Sequence, residues 1–314
     1  MALMFLLSFQ TATSQSVPAE EENIPFMVTF GDDAPQSWGD DDYCQIFFFV
    51  VPASLNSPFY LRIFDPDCGG KYDENREEFN TKTRFTIYGG NACYSNKDAR
   101  NTNPMGNYRS GNLLSTKDFD DKPKYDDQWF AFGPFNPAEG EFIKDFDGYI
   151  FKIIAEGIEG NDGNLYRYFF STSKDKNIEI EGGNTFTYEY TFRLSDDKNH
   201  VSHIYPFVDD KVVSIKIHNF DWDNDGYIRL ISNSKNKKIV DKSGNGFWTE
   251  STFSIQEEEK NTTFDIQFVK TGDKIMKNNN GVLYVTNQYN EFLPFFTTPI
   301  GGIPKYKYKI TISR

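Results

Sequence analysis

Residues 185–194 alternate without a break, with Phe186, Tyr188, Tyr190, Phe192 and Leu194 in one phase and Thr185, Thr187, Glu189, Thr191 and Arg193 in the other. A two-residue period places every apolar side chain on one face, so the segment is predicted to be a strand with one buried face. The same alternation recurs in residues 264–268 and in residues 305–312, where Tyr306, Tyr308, Ile310 and Ile312 oppose Lys305, Lys307 and Lys309. Half-buried strands of this kind belong to antiparallel sheets. Further apolar or alternating stretches occupy residues 43–51, 59–64, 84–88, 129–132, 149–154 and 165–170, and turn-forming clusters separate nearly all of them. No helix-length pattern lies between them. The expected fold class is all-β, arranged as two antiparallel β-sandwich or jelly-roll-like domains.

The polar run Ser195-Asp196-Asp197-Lys198-Asn199-His200 interrupts the strands and reads as a linker. It divides an N-terminal β-sandwich, residues 24–194, from a C-terminal one, residues 201–314. Residues 93–124 are too polar for a core and too long for a hairpin loop, so they are expected to be functional or loosely ordered. At the N-terminus, the apolar run 3–9 followed by Ala12 and Ser14 reads as an export signal, residues 1–14, cleaved before Gln15, although its first residues lack Lys and Arg. No later run approaches the length of a membrane-spanning helix; the longest covers residues 46–51. The expected location is exported: periplasm, cell surface or extracellular.

Charge narrows the partners. The 314 residues carry 46 Asp and Glu against 33 Lys and Arg, a net charge of −13, which repels nucleic acid and anionic lipid. The 31 Phe and 18 Tyr supply much of the apolar material and favour pleated, half-buried surfaces. Three cysteines, Cys44, Cys68 and Cys93, fall in the first third. Outside the cytoplasm one pair can oxidise, with Cys68 and Cys93 preferred because both flank turns; three reduced cysteines at strand positions are the alternative.

The sharpest motif is Asp221-Trp222-Asp223-Asn224-Asp225-Gly226. Alternate carboxylates at this spacing converge on a hard cation, and the carbonyl of Tyr227 would supply the next ligand, so Asp221, Asp223, Asp225 and Tyr227 are the candidate calcium ligands. An EF-hand is excluded, because Ser232 stands where its bidentate Glu would be and the flanks read as strands. The expectation is a calcium loop between two strands, completed from elsewhere, with Glu257, Glu258 and Glu259 as donors; an acidic hairpin turn is the bland alternative. Two other acidic groups, Asp40-Asp41-Asp42 and Asp65, Asp67, Asp73 and Glu74, are read as solvated loop ends rather than cation sites. His200, His203 and His218 are assigned surface roles. No nucleophile elbow, phosphate loop or zincin motif occurs in the sequence. Trp38 and Trp222 lie among Asp and Gly and form a possible ligand platform, whereas Trp129 is read as core.

The stretch Asp41-Asp42-Tyr43, then Phe47-Phe48-Phe49-Val50, then Leu61-Arg62-Ile63-Phe64-Asp65 resembles the opening strands of bacterial pre-peptidase C-terminal jelly-roll domains, over about 25 positions. The aromatic, Asn-rich and Lys-rich style with a small-residue cleavage site resembles exported envelope proteins of Bacteroidota. The resemblance implies a cell-surface accessory module. The expected function is a non-catalytic binding or structural module of the cell envelope, calcium-stabilised in its second half, with a glycan or envelope protein as partner. An exported carbohydrate-active hydrolase using paired carboxylates is the alternative.

Overall fold

A computed structural model describes residues 15–101, 104–223, 226–271 and 276–308. The export-signal expectation for residues 1–14 lies outside the described residues. Every paired strand is antiparallel, and the described helices are short 3₁₀ turns. None is long and apolar enough to cross a membrane.

The larger sheet runs from edge to edge through Trp248–Ser254, Ser214–Phe220, Asn280–Asn287, Glu189–Arg193, Phe26–Phe30, Gly163–Ser171, Phe59–Phe64 and Trp129–Phe135. Ser16–Val17 also pairs with Gly163–Ser171. A second sheet runs through Phe295–Phe296, Asn184–Thr187, Cys44–Pro52, Gly148–Glu159, Lys82–Gly89 and Asn112–Phe119, with Glu141–Ile143 alongside Gly148–Glu159. A third holds Val201–Ile204, Asp265–Lys270, Gly226–Ile231 and Lys238–Val240. The first two sheets pack face to face through rings, with Phe47 5.3 Å from Tyr168, Phe59 4.8 Å from Phe151 and Phe85 5.2 Å from Tyr166. The far half of the larger sheet packs on the third, where Phe192 lies 5.2 Å from Phe268. All-β sandwich packing is therefore the architecture.

Residues 195–200 form no strand, but the larger sheet spans both sides of that expected linker. Glu189–Arg193 pairs with Asn280–Asn287 on one side and with Phe26–Phe30 on the other, so one sheet serves both halves of the chain.

The alternating segment around Tyr188 differs from its expectation of one buried face. Asn184–Thr187 pairs with Cys44–Pro52 in the second sheet, and Glu189–Arg193 then enters the larger sheet. A strand that changes sheets has no solvent side. Its polar phase is buried instead, with Thr187 Oγ1 donating to the Ile46 carbonyl at 2.6 Å and Arg193 Nε to Asn280 Oδ1 at 2.7 Å.

The described residues of the 93–124 segment are packed against the sheets rather than loose. Tyr94 and Tyr108 cover the outer face of the second sheet, and Tyr94 meets Phe48 at 5.5 Å. That cover explains the uninterrupted apolar run 46–51, whose strand is buried on both faces. Within the same segment Asn112–Phe119 forms an edge strand, polar because one face meets water. The expected terminal strand is not formed in residues 304–308, and residues 309–314 lie outside the described residues. Cys44, Cys68 and Cys93 are free and buried, so the Cys68–Cys93 pair is not made; the Cys93 thiol donates to the Tyr88 carbonyl instead.

Candidate metal centre

The acidic loops gather at one end of the sandwich. After Phe26–Phe30 the chain turns through Gly31 and the 3₁₀ turn Gln36–Trp38, then reaches Gly39 at φ +92°. A Cβ on Gly39 would sit 2.4 Å from Asn280 Cβ, so only glycine lets the chain cross there. Asp40, Asp41 and Asp42 follow, immediately before Cys44–Pro52.

Asp40 is a turn clamp. Its carboxylate accepts the N–H groups of Phe30 at 2.8 Å and Tyr43 at 2.9 Å. Asp42 Oδ1 accepts Cys44 N–H at 3.0 Å. Two buried oxygens, Asp41 Oδ1 and Asp42 Oδ2, have no hydrogen-bond partner. One carboxylate oxygen from each residue lies within 4.8 Å of those of the other two. Like charges at such separations near a protein surface repel by about 3 kcal/mol per pair. Burial, and then the Asp41 charge, push the Asp40 carboxyl up to about 7, and burial pushes Asp41 up to about 6. Burial raises Asp42 well above the usual carboxylate range, with the Asp41 and Asp40 charges adding to it.

These residues were expected at solvated loop ends, and the structure corrects that: Asp40 is 1% exposed and Asp41 8%. The loop folds back on the end of Phe26–Phe30, where Asp40 accepts Phe30 N–H. A groove of about 340 Å³ lined by Asp32, Asp42, Tyr43 and Glu156 gives access from solvent.

The neighbouring acid, Glu74, is neutralised. Its buried carboxylate pairs with Arg193 at 2.5 Å and with Arg76, and accepts Asn280 Nδ2–H at 3.1 Å. The same amide donates to the Trp38 carbonyl at 2.8 Å, which ties the 31–43 loop to this network.

The sequence-predicted calcium loop stands at the same end. Asp221 has φ +59°, is 2% exposed, and accepts Gly246 N–H at 2.5 Å through Oδ1. Burial pushes its carboxyl up to about 7, opposed by the Gly246 hydrogen bond, with the Asp223 and Glu74 charges raising it further. Asp223 is half-buried, and Asp225 lies outside the described residues. Tyr227 is in strand register with Val269, and its hydroxyl accepts from Arg229 at 3.2 Å. Gly226 is needed for a close approach: a Cβ there would meet the Val269 carbonyl at 1.9 Å. Its own carbonyl accepts from Lys242 Nζ at 3.1 Å. Of the expected supplementary donors, Glu259 is taken up by Lys235 at 2.5 Å and Glu257 by Lys260 at 2.6 Å.

The aromatic platform is not formed as expected. Trp222 is 1% exposed and packs on Phe268 at 5.4 Å, beyond the end of Ser214–Phe220, where the left-handed Asp221 takes the chain out of strand phase. Trp38 is half-buried, with the Arg76 guanidinium 3.9 Å over its ring. Trp129, expected in the core, is half-buried beside Arg62 and Phe169 on the outer face of the larger sheet. His200 bonds the Asn23 carbonyl at 2.7 Å, His203 pairs with Asp265 at 2.9 Å, and His218 stacks on Tyr284 at 4.3 Å, so all three have local structural partners.

No protein-family model matches the chain, and no curated protein matches it in sequence.

Proposed function

We propose that the chain is an exported, non-catalytic binding or structural module of the cell envelope whose acidic end takes up calcium. The carrying observation is the Asp40, Asp41 and Asp42 turn: three carboxylates with oxygens within 4.8 Å of one another, two of those oxygens buried without a hydrogen-bond partner on Asp41 and Asp42. Oxygen-only, multiply charged donors suit a hard divalent cation. Calcium would neutralise the repulsion and lock the turn between Phe26–Phe30 and Cys44–Pro52. The Asp221 loop adds further negative charge to the same end.

A glycan fits the outer-face groove of about 440 Å³ better than it fits the tryptophans the sequence singled out. That groove combines Trp129 and Phe169 with Arg167, Asn177 and His200. Aromatic faces beside amide and guanidinium donors are suited to sugar rings. The hydrolase alternative is less favoured in the groove of about 520 Å³, whose two acids are both ion-paired: Glu156 with Arg109 at 2.5 Å and Asp118 with Arg84 at 2.7 Å.

Calorimetric titration of residues 15–314 with calcium tests the reading. Uptake that Asp41→Asn weakens at least tenfold supports it, and uptake indifferent to that substitution removes the Asp40 to Asp42 turn as the site.

A further inference from the structure

The outer face of the larger sheet carries two arginines without a carboxylate. Arg62 and Arg167 stand on adjacent strands, where Arg62 is opposite Phe169 and Arg167 is opposite Phe64. That register makes them diagonal neighbours on one face. Arg76, Arg84, Arg109 and Arg193 each hold a carboxylate, whereas neither Arg62 nor Arg167 is ion-paired among the described residues. In a chain of net charge −13, this is a local reversal of sign.

Both side chains are held in place. Arg167 Nε–H donates to the Pro25 carbonyl at 2.7 Å, and its guanidinium lies 4.2 Å from the centre of the Phe26 ring. Its terminal nitrogens, Nη1 and Nη2, make no hydrogen bond among the described residues, and the residue is exposed. Arg62 is buried. It donates through Nη1 to Asn177 Oδ1, lies 4.9 Å from the centre of the Trp129 ring, and keeps its Nε buried without a partner. Trp129 and Phe169 stand at 90° to each other with ring centres 6.5 Å apart. Both rings, with Arg167 and Asn177, line the groove of about 440 Å³; Glu20 is the acid on its lining, and it pairs with neither arginine. Burial lowers both guanidiniums from their usual range, opposed by the Asp175 charge at Arg62 and by Tyr72 at Arg167, as expected of cations without a counter-ion.

We propose that this groove selects an acidic saccharide, a chain containing uronic-acid residues, with Arg167 donating Nη1–H and Nη2–H to a sugar carboxylate while Trp129 and Phe169 pack on the rings. The inference rests on the glycan reading above and adds the charge of the ligand. Two parallel guanidinium N–H donors match the two oxygens of a carboxylate. The Pro25 hydrogen bond and the Phe26 ring fix that fork before the ligand arrives, which reduces the ordering cost of binding. A neutral sugar would leave the cation uncompensated.

Calorimetric titration of residues 15–314 with trigalacturonate, its fully methyl-esterified form and cellotriose tests the proposal, in chelator so that calcium cannot bridge the carboxylates. Trigalacturonate is expected to bind at least tenfold tighter than the ester. Arg167→Gln should erase that margin while its affinity for the ester and its melting curve stay unchanged, and Arg167→Lys should recover only part of the margin. Trp129→Ala should weaken both forms. Equal affinity for acid and ester, both weakened in Trp129→Ala, overturns the acidic selectivity and leaves the glycan reading standing. A preference for the acid that Arg167→Gln does not alter also overturns the proposal, because the carboxylate is then bound elsewhere. Binding of none of the three saccharides overturns it and counts against the glycan reading as well.

Discussion

Glu74 Oε2 lies 2.5 Å from Arg193 Nη2, and the pair joins the 65–81 loop to the strand that links the two halves of the chain. The Glu74 side chain is fully buried and that of Arg193 is 10% exposed. Arg193 also donates to Asn280 Oδ1 at 2.7 Å and Asn278 Oδ1 at 3.1 Å, so the guanidinium is held on several sides.

Breaking this pair from one side leaves a buried charge. Glu74→Ala is expected to cost about 3–5 kcal/mol in urea unfolding, the usual penalty for an orphaned buried partner. The double variant Glu74→Leu with Arg193→Met should recover a good part of that loss. A Glu74→Ala variant within about 1 kcal/mol of the parent would show that the Asn278 and Asn280 amides satisfy Arg193 without the carboxylate.

The acidic end fixes the sign of the pH dependence. Burial raises Asp40, Asp41, Asp65 and Asp67 to about 7, 6, 7 and 6, above their values in the unfolded chain. Raised acids stabilise the fold while protonated, and that contribution is lost as pH climbs from about 4 through about 7. In chelator the melting temperature should therefore fall between pH 5 and pH 8. Calcium supplies the missing counter-charge at the Asp40 to Asp42 turn and should flatten that slope. A part will persist through Asp65 and Asp67, and through Glu22, which burial raises to about 8 at a position away from the acidic loops, beside Tyr190. Equal slopes with calcium and with chelator would contradict this account.

Lys152 anchors the cover on the second sheet. The side chain is fully buried and donates to the carbonyls of Tyr108 at 2.5 Å and Ser110 at 2.9 Å. Burial lowers its pKa to about 8, against the raising effect of Cys93 and Glu141. Lys152→Met should cost about 1–3 kcal/mol by leaving those acceptors unpaired. Amide exchange in residues 104–111 should accelerate at least tenfold while Cys44–Pro52 stays protected. Unchanged protection in 104–111 would show that Tyr94 and Tyr108 hold the cover by packing alone.

The strands with a solvent face or a dense apolar run were legible in the sequence: Phe59–Phe64 was placed without error and Cys44–Pro52 within a residue. Phe26–Phe30 was missed because all five of its residues are buried, which leaves no alternation to detect. Asn112–Phe119 was missed for the opposite reason, being an exposed edge. The segment 185–194 was correctly read as strand, but period alone cannot show that a strand leaves one sheet for another. The acidic groups were visible as composition. Their burial was not, because it depends on Phe30 N–H meeting Asp40 and on Asp127 N–H meeting Asp65, pairings between positions 10 and 62 residues apart. Trp222 was misplaced by its acidic neighbours, which sit at the strand end while the indole enters the core.

The most direct test of calcium stabilisation is a thermal melt of residues 15–314 in saturating calcium and in chelator, repeated on Asp41→Asn. A single site at a hundredfold excess of calcium over its Kd adds about 2.7 kcal/mol. The account expects the parent to melt at least about 5 °C higher with calcium than with chelator, and Asp41→Asn to lose much of that rise. Superimposable melts in calcium and chelator would contradict it and leave the buried acids of this end to be held as neutral carboxyls.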